Sequence, residues 1–395
     1  MRFPEFNEPW ETSTLQGIAE FSKGAGISKE QRSETGLPCI LYGELYTTYS
    51  NEVIEDVVSR TDLDPTDLVK SQSNDVIIPS SGETAEDIAT ARCVFDDNVL
   101  LGGDLNIIRL NEPHDGRFMS YQLNGIRKYD IARIAQGVSV VHLYSNELKK
   151  LSVSLPQSVE QKRIADFIGL LDRRIAVQSK LIEQFESLIK GICRVFHNNT
   201  NGWLQVSFSE LGTDYGGLSN KTAADFGKGK PFITYLNVYT NRVVDENQVQ
   251  FVNVTENESQ NKVKWGDVLF TLSSETPDEV AVGSVYLGSY NELYLNSFCF
   301  GIHIESERIV FQPYLAYLIS SPQFRKWVFP LAQGSTRFNL HKADFMKKKF
   351  LLPPLEEQKK LYKCLNSISS RIAIETSIMK DLQELKQSLL QQMFI

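Results

Sequence analysis

Much of what marks an enzyme, a secreted protein or a membrane protein is missing from this chain. No window approaches 18 uninterrupted apolar residues, which argues against a membrane span. The opening "MRFPEFNEPW" has no apolar core of the signal-peptide kind. Five cysteines, Cys39, Cys93, Cys193, Cys299 and Cys364, are odd in number and scattered, with no C-x-x-C and no Cys/His cluster. That usage predicts reduced thiols in a cytoplasmic protein without structural zinc. The five histidines are dispersed, and none stands at metal-ligand spacing from another His or Cys, so no metal site is expected. Nucleophile-elbow, H-E-x-x-H, phosphate-loop and dinucleotide-binding motifs are all absent, so no catalytic residue is nominated. The glycines of "KGAGISKE" (Lys23–Glu30) and "FGKGK" (Phe226–Lys230) read as a loop and a turn. A nuclease-like Glu147-Leu148-Lys149 lacks a Pro-Asp partner. An excess of positive charge is missing too: 41 Lys and Arg face 49 Asp and Glu, for a net charge of -8. This weighs only mildly against a nucleic-acid partner, because a polyanion responds to the field of one face and not to the total.

What is there is a repeat. "LPQSVEQKRI" (Leu155–Ile164) returns 197 positions later as "LPPLEEQKKL" (Leu352–Leu361). Upstream, "AQGVSVVHLYSNELKKLSVSLP" (Ala135–Pro156) aligns without a gap on "AQGSTRFNLHKADFMKKKFLLP" (Ala332–Pro353). "GLPCILYGELYT" aligns on "GKPFITYLNVYT", "DVIIPSSGETAEDIA" on "DVLFTLSSETPDEVA", and Trp10 on Trp203. The nuclease-like triplet does not recur: its counterpart is Asp344-Phe345-Met346. Two long copies, not the three or more short ones of a solenoid, imply pseudo-two-fold symmetry within one chain. Each copy opens with a mixed α/β segment. "CILYGELYTTY", "DVIIP", "DVLFTL", "GSVYLG" and "FGIHI" read as strands bounded by turn residues. A helical stretch follows, roughly Arg117–Ala135 and Pro313–Ala332, and then a basic run leads to Leu-Pro. The expected division is 1–153 and 198–350 for the α/β domains, with helical spacers over 154–197 and 351–395.

Each spacer predicts one long helix. Pro156 and Pro353 stand just before or in the first turn, where a missing N–H costs nothing, and Glu160 and Glu357 complement the helix dipole. Ile164, Ile168, Leu171, Ile175, Gln178, Ile182, Phe185, Ile189, Ile192 and Phe196 follow a 4-3-4-3 spacing. The second copy gives Leu361, Leu365, Ile368, Ile372, Glu375, Met379, Leu382, Lys386, Leu389 and Met393. Such heptad seams predict an antiparallel coiled coil between the two helices, with Gln178 and Glu375 as a shared polar break that fixes register. Lys386, flanked by Leu385, is a second break at which the seam is expected to drift. The bland alternative is a pair of amphipathic helices in a globular core. A coiled coil with a similar α/β domain at each end is a ruler, and DNA is the polymer for which a fixed spacing of two similar readers is useful.

Two sets of polar residues are candidates for contact with such a polymer. "SGETAED" (Ser81, Glu83, Thr84) and "SSETPDE" (Ser273, Thr276) follow strands; their side chains either bond phosphates and base edges or close structural Ser/Thr turns. From Arg325 to Lys349 seven Lys or Arg accompany one acid, Asp344, and Arg325, Lys326, Arg337 and Lys342 are nominated from this run. It is either a DNA-holding face or a solvated charge run. Tyr42, Tyr46, Tyr235 and Tyr239 alternate in supposed strands and read as core or sheet surface, not as stacking platforms.

"LPQSVEQKRIADFIGLLDRRI" and "LPPLEEQKKLYKCLNSISSRI", each closing an α/β unit and opening a long helix, resemble the conserved regions of type I restriction–modification specificity subunits. The resemblance covers the whole chain and implies two target-recognition domains alternating with two helices. It implies a subunit without catalytic activity in which each domain reads half of a bipartite site on double-stranded DNA. The helices would set the gap and dock two methyltransferase subunits, which restriction subunits then join. It also implies that S-adenosylmethionine, ATP and Mg belong to those partners and that this chain holds no cofactor. Carried over by position, Pro156, Glu160, Gln161, Pro353, Glu357 and Gln358 imply structural and partner-docking roles, alongside Gln178 and Glu375. Ser335, Thr336 and Arg337 of "GSTR" match the family's loop ahead of the conserved helix; the first copy departs from it with Gly137-Val138-Ser139-Val140. Competing readings are a stand-alone nuclease or methyltransferase with two recognition domains, betrayed by activity of the chain alone, and a coiled-coil scaffold that binds no DNA.

Overall fold

A computed structural model of the chain describes residues 2–137, 139–197 and 200–394. The chain forms two compact units, Met1–Lys180 with Thr376–Ile395, and Leu181–Glu375. Each is a mixed α/β body, and the repeat holds strand by strand.

In the first unit the main sheet has the order Ala19–Lys23, Leu105–Leu110, Val76–Pro79, Arg92–Val94, Val53–Ile54. All neighbours are antiparallel except the last pair, which is parallel, Val53 opposite Cys93. The second unit repeats the order with Gly212–Gly216, Cys299–Ile304, Val268–Thr271 and Gly283–Val285. There the fifth strand shrinks to one parallel bridge, Val243 to Val285. A smaller three-stranded sheet accompanies each main sheet, built on Leu37–Ile40 in one unit and on Phe226–Ile233 in the other.

Two helices follow the sheet in each unit. Gly116–Asn124 and Lys128–Ile134 correspond to Gln312–Ile319 and Pro322–Val328. Sequence chemistry explains why each predicted stretch is broken. At Gly125 a Cβ would stand 2.7 Å from the Leu390 carbonyl oxygen, so the chain turns where the second long helix passes. In the other unit Pro322 begins a new helix behind Ser321, whose hydroxyl accepts the Phe324 N–H at 3.2 Å. One expected strand is corrected. "CILYGELYTTY" is a strand only to Ile40; Glu44–Thr47 is a helix, because the Glu44 carboxylate accepts the Leu41 N–H at 2.9 Å and closes a turn.

The long helices span Ser158–His197 and Leu355–Gln392. In the first unit Ile164 and Ile168 share a core with Leu389, Leu390, Met393 and Phe394, and with Phe118 and Tyr121 on the sheet-covering helix. In the second unit Ile189 and Cys193 share a core with Leu361 and Leu365. The start of one helix thus lies with the end of the other in both units, and the helices run antiparallel. Every residue of both heptad seams is buried or half-buried. The expected drift at Lys386 does not occur: Lys386 is 7% exposed and Leu385 48%.

The second unit has the more aromatic core. Phe208 stacks on Phe345 at 5.1 Å and meets Phe270, Phe324 and Phe350 within 4.8–6.1 Å. Its counterpart in the first unit is the buried Leu15.

Candidate nucleic-acid interface

The residues nominated from sequence fall into three groups in space. The first is a groove in the second unit. Ser273–Ser274 pairs antiparallel with Phe338–Leu340, which brings "SSET" beside "GSTR" across more than 60 positions of sequence. The Arg337 guanidinium donates to the Ser273 hydroxyl at 3.1 Å and is otherwise exposed, as are Ser335 and Thr336. Tyr235 and Tyr239 line the same groove, of about 730 Å³, with Glu275 and Glu279. These tyrosines are not on a strand. They sit one turn apart on the helix Tyr235–Thr240, whose Thr234 cap accepts the Asn237 N–H, and their rings lie parallel at 6.0 Å. The Tyr235 hydroxyl donates to the Ser273 carbonyl at 2.9 Å and the Tyr239 hydroxyl to Glu279 at 2.7 Å. Glu279 also accepts from Ser274 at 3.1 Å and Thr276 at 2.8 Å, so Thr276 closes a turn at the groove wall. These hydroxyls hold the Glu279 carboxyl below its ordinary range, and the same carboxylate, with burial, pushes Tyr239 up to about 12.

The first unit repeats the strand pair, Ser81–Gly82 on Val141–His142. Thr84 caps a short helix, accepting the Asp87 N–H at 3.1 Å and donating to the Asp87 carboxylate at 2.6 Å. Glu83 is exposed beside it. Burial, with the nearby Tyr42, Asp87 and Glu83, raises the Tyr46 hydroxyl. No arginine joins them: at the alignment position of Arg337 stands Val140, 54% exposed. A cavity of about 620 Å³ lies nearby, lined by Lys29, Arg32, Tyr42, Thr47 and Thr48 among others.

The second group is the basic run, which does not form one free face. Arg325 gives its guanidinium to three carbonyl oxygens, Ala281, Asp278 and Val280, at 2.5–2.7 Å, and burial lowers its pKa. Lys342 pairs with Asp214, and Lys349 with Glu210 at 3.0 Å. Lys348 donates to the Trp327 carbonyl at 2.6 Å. Lys326 and Lys347 are exposed.

The third group, at the helix starts, is turned inward. Gln161 donates to the Pro156 carbonyl at 2.9 Å and accepts the Asp115 N–H at 3.0 Å. Gln358 repeats this, donating to the Pro353 carbonyl at 2.7 Å and the Ile309 carbonyl at 2.7 Å and accepting the Phe311 N–H at 2.9 Å. Glu160 is buried and takes both ends of the Arg2 fork at 2.7 Å, whereas Glu357 is half-buried. Gln178 and Glu375 are both buried, and Arg371, one turn before Glu375, pairs with it.

Two features had no signal in the sequence. One is a buried carboxylate under each sheet: Arg109 clamps Asp75 at 2.7 and 2.8 Å, where the second unit has His303 2.9 Å from Asp267 and the Tyr215 hydroxyl donating at 2.7 Å. Tyr215 fits only because Gly301 leaves room; a Cβ there would meet its ring at 2.2 Å. The other is an apolar line on the first long helix. Val159, Leu170, Val177, Leu188 and Val195 are all exposed, and their spacing of 11, 7, 11 and 7 keeps them within about 20° of one line at ~100° per residue. Among the described residues no His/Cys/Asp/Glu group is arranged to hold a metal, and no helix is long and apolar enough to cross a membrane.

Comparison with known proteins agrees with this geometry. The family model for the type I restriction modification DNA specificity domain matches twice, at residues 7–187 and 203–384. The type I restriction enzyme MjaVIII specificity subunit of Methanocaldococcus jannaschii is 21% identical, with 97% of this chain and 91% of that protein aligned. Among solved structures, the S subunit of a type I restriction-modification system from M. genitalium shares the fold, with a TM-score of 0.60, 16% identity, and 100% and 97% of the two chains covered. A chain from a study of complex assembly and conformational transition in the type I R-M system superposes with a TM-score of 0.57 at 17% identity, covering 98% and 97%.

Proposed function

The chain belongs to the type I restriction–modification DNA specificity family, two copies of whose domain fill it, and from that premise we infer that each unit reads one half of a bipartite DNA site. The observation that carries this reading is the repeated strand pair. Each time it joins a Ser/Thr/Glu segment to the segment ahead of the conserved helix, and in the second unit these line one polar groove with Tyr235 and Tyr239. Ser81, Glu83 and Thr84 would serve one half-site; Ser273, Thr276, Ser335, Thr336 and Arg337 would serve the other. Lys326 and Lys342 would face phosphates, while Arg325 acts by holding the Asp278–Ala281 turn. Base edges are read by such hydrogen-bonding groups, and phosphates by cations.

The long helices set the gap between readers and dock methyltransferase subunits, which restriction subunits join. The exposed face from Val159 to Val195 mixes five apolar residues with Asp166 and Gln184, and that composition supports a protein partner on the first helix. Gln161 and Gln358 serve docking indirectly, by fixing each helix to its own α/β body. Methyl transfer and ATP-dependent cleavage, with S-adenosylmethionine, ATP and Mg, reside in the partners. The test is an exchange of residues 1–153 for those of another family member, followed by methylation-aware sequencing. One half of the methylated motif should change and the other remain; a change in both would end the two-reader model. Inserting a helical turn near Gln178 should alter the gap and leave both half-sites intact. Methylation or cleavage by the purified chain alone would favour the enzyme reading.

A further inference from the structure

The buried Lys386 has no counterpart in the repeat, and its surroundings explain why. Its ammonium pairs with Glu52 and stands 2.5 Å from an Asp172 oxygen, with the acids 6% and 5% exposed. Tyr121 donates its hydroxyl to the other Asp172 oxygen at 2.6 Å, and the ammonium lies 5.8 Å from the Tyr121 ring. Arg92, bonded to the Leu45 and Tyr49 carbonyls at 3.0 and 2.7 Å, is within electrostatic reach of both acids. Two cations thus serve two buried carboxylates, and Asp172 with Tyr121 also lines a small cavity of about 170 Å³.

The same site in the second unit can be read position by position. Tyr317 stands for Tyr121 and Ser369 for Asp172, with the same bond between them, Tyr317 hydroxyl to Ser369 hydroxyl at 3.0 Å. Ile189, buried, stands for Lys386. The parallel bridges Val53–Cys93 and Val243–Val285 align Glu52 with Arg242 and Arg92 with Ser284. Arg242 lies 5.8 Å from the Tyr317 ring. Both tyrosines therefore carry a cation. In the second unit the α/β body supplies it; in the first it comes only with the end of the final helix.

We propose that the Glu52–Asp172 site is a charge-coded seat for the end of the second long helix, which makes the two helix ends non-interchangeable. An isoleucine delivered to the first seat leaves two buried carboxylates with one cation between them. A lysine delivered to the second seat meets Arg242 and no acid at the corresponding positions. Heptad seams alone do not discriminate, since both helices offer the same apolar spacing; a buried polar group is what specifies pairing. The seat thus excludes association of two chains through their first halves and admits the final helix of this chain.

The full-length chain tests this. K386I should lower the unfolding midpoint of the first unit by about 6–20 °C, as expected for a broken buried pair in a unit of this size. Hydrogen exchange should rise over 376–394 and 51–54 and stay unchanged over 355–365. K386M, which keeps the stem and loses the charge, should behave the same way. D172S should be far less costly on K386I than on the unmodified chain, because Tyr121 then finds the serine that Tyr317 has. The reciprocal exchange I189K/K386I should be at least as damaging as either change alone. A midpoint for K386M within 2 °C of the unmodified chain, independent costs for D172S and K386I, or recovery in the reciprocal exchange would each overturn the proposal. Where I189K does not fold, K386M and the D172S pair still decide.

Discussion

The two units are copies that agree where a helix meets its own α/β body and differ where something else must be told apart. Gln161 and Gln358 make the same bonds to the Leu-Pro carbonyl and to the backbone before the sheet-covering helix. A side chain that answers two buried backbone groups, or three at Gln358, cannot drift without leaving them unpaired. Elsewhere there is no such constraint: Val140 stands at the aligned position of Arg337, and Asp75 with Arg109 at that of Asp267 with His303 and Tyr215. The helix ends differ too, Lys386 against Ile189. Even the outward faces differ: the apolar line of the first helix becomes Glu356, Ser367, Ile374, Leu385 and Gln392 on the second, with only Ile374 and Leu385 apolar. Duplication preserves joints and frees surfaces.

Substitutions can break or sharpen that comparison. The largest effect is expected in the cores. Phe208→Ala should cost about 3–5 kcal/mol, and Leu15→Ala in the first unit less, because ring-on-ring contacts add to burial. Denaturant unfolding followed by the fluorescence of Trp327, which meets Phe208 at 6.5 Å, reads the first change; equal costs would show that the aromatic cluster adds nothing. Next come the joints. Gln161→Leu and Gln358→Leu should each cost about 2–3 kcal/mol by stranding the Leu-Pro carbonyl and the N–H before the sheet-covering helix, with Gln358→Leu at the upper end because it also strands the Ile309 carbonyl. A cost at one joint and none at the other would mean that the repeat does not use them alike.

Smaller effects are expected in the grooves. Arg337→Ala should weaken binding of the assembled complex about 10-fold for cognate DNA, with discrimination relaxed at one half-site only. Uniform weakening across sequences would make Arg337 a phosphate contact. The smallest effect is a pH dependence. Glu279 has its folded pKa lowered by Tyr239, Thr276 and Ser274, so its contribution is present above the ordinary carboxylate pKa and lost as pH falls through the folded value. Glu279→Gln should therefore be less stable than the unmodified chain at about pH 7, with the difference shrinking as pH falls below the ordinary carboxylate range. A difference that persists in acid would remove the carboxylate from the account.

The repeat and the two long helices were legible from residue types alone, and so was the family. Their signals are periodic and local: a proline before a helix, a heptad seam, a strand of β-branched residues. The groove was half legible. Its loops were visible as polar segments, but "CILYGELYT" and its partner look like strands until Glu44 and the Thr234 cap turn Tyr46, Tyr235 and Tyr239 onto helices. The basic run was over-read, because composition cannot say that Arg325 spends its donors on the Asp278, Val280 and Ala281 carbonyls.

Sequence by itself determined that this protein is one unit written twice, since alignment needs only identity and order. Tertiary structure alone decided which charges are free and which are answered, because that depends on distances between residues far apart in the chain. Lys386 and Glu52 lie 334 positions apart and touch. No local pattern distinguishes such a lysine from a solvated one; only its burial against Glu52 and Asp172 does.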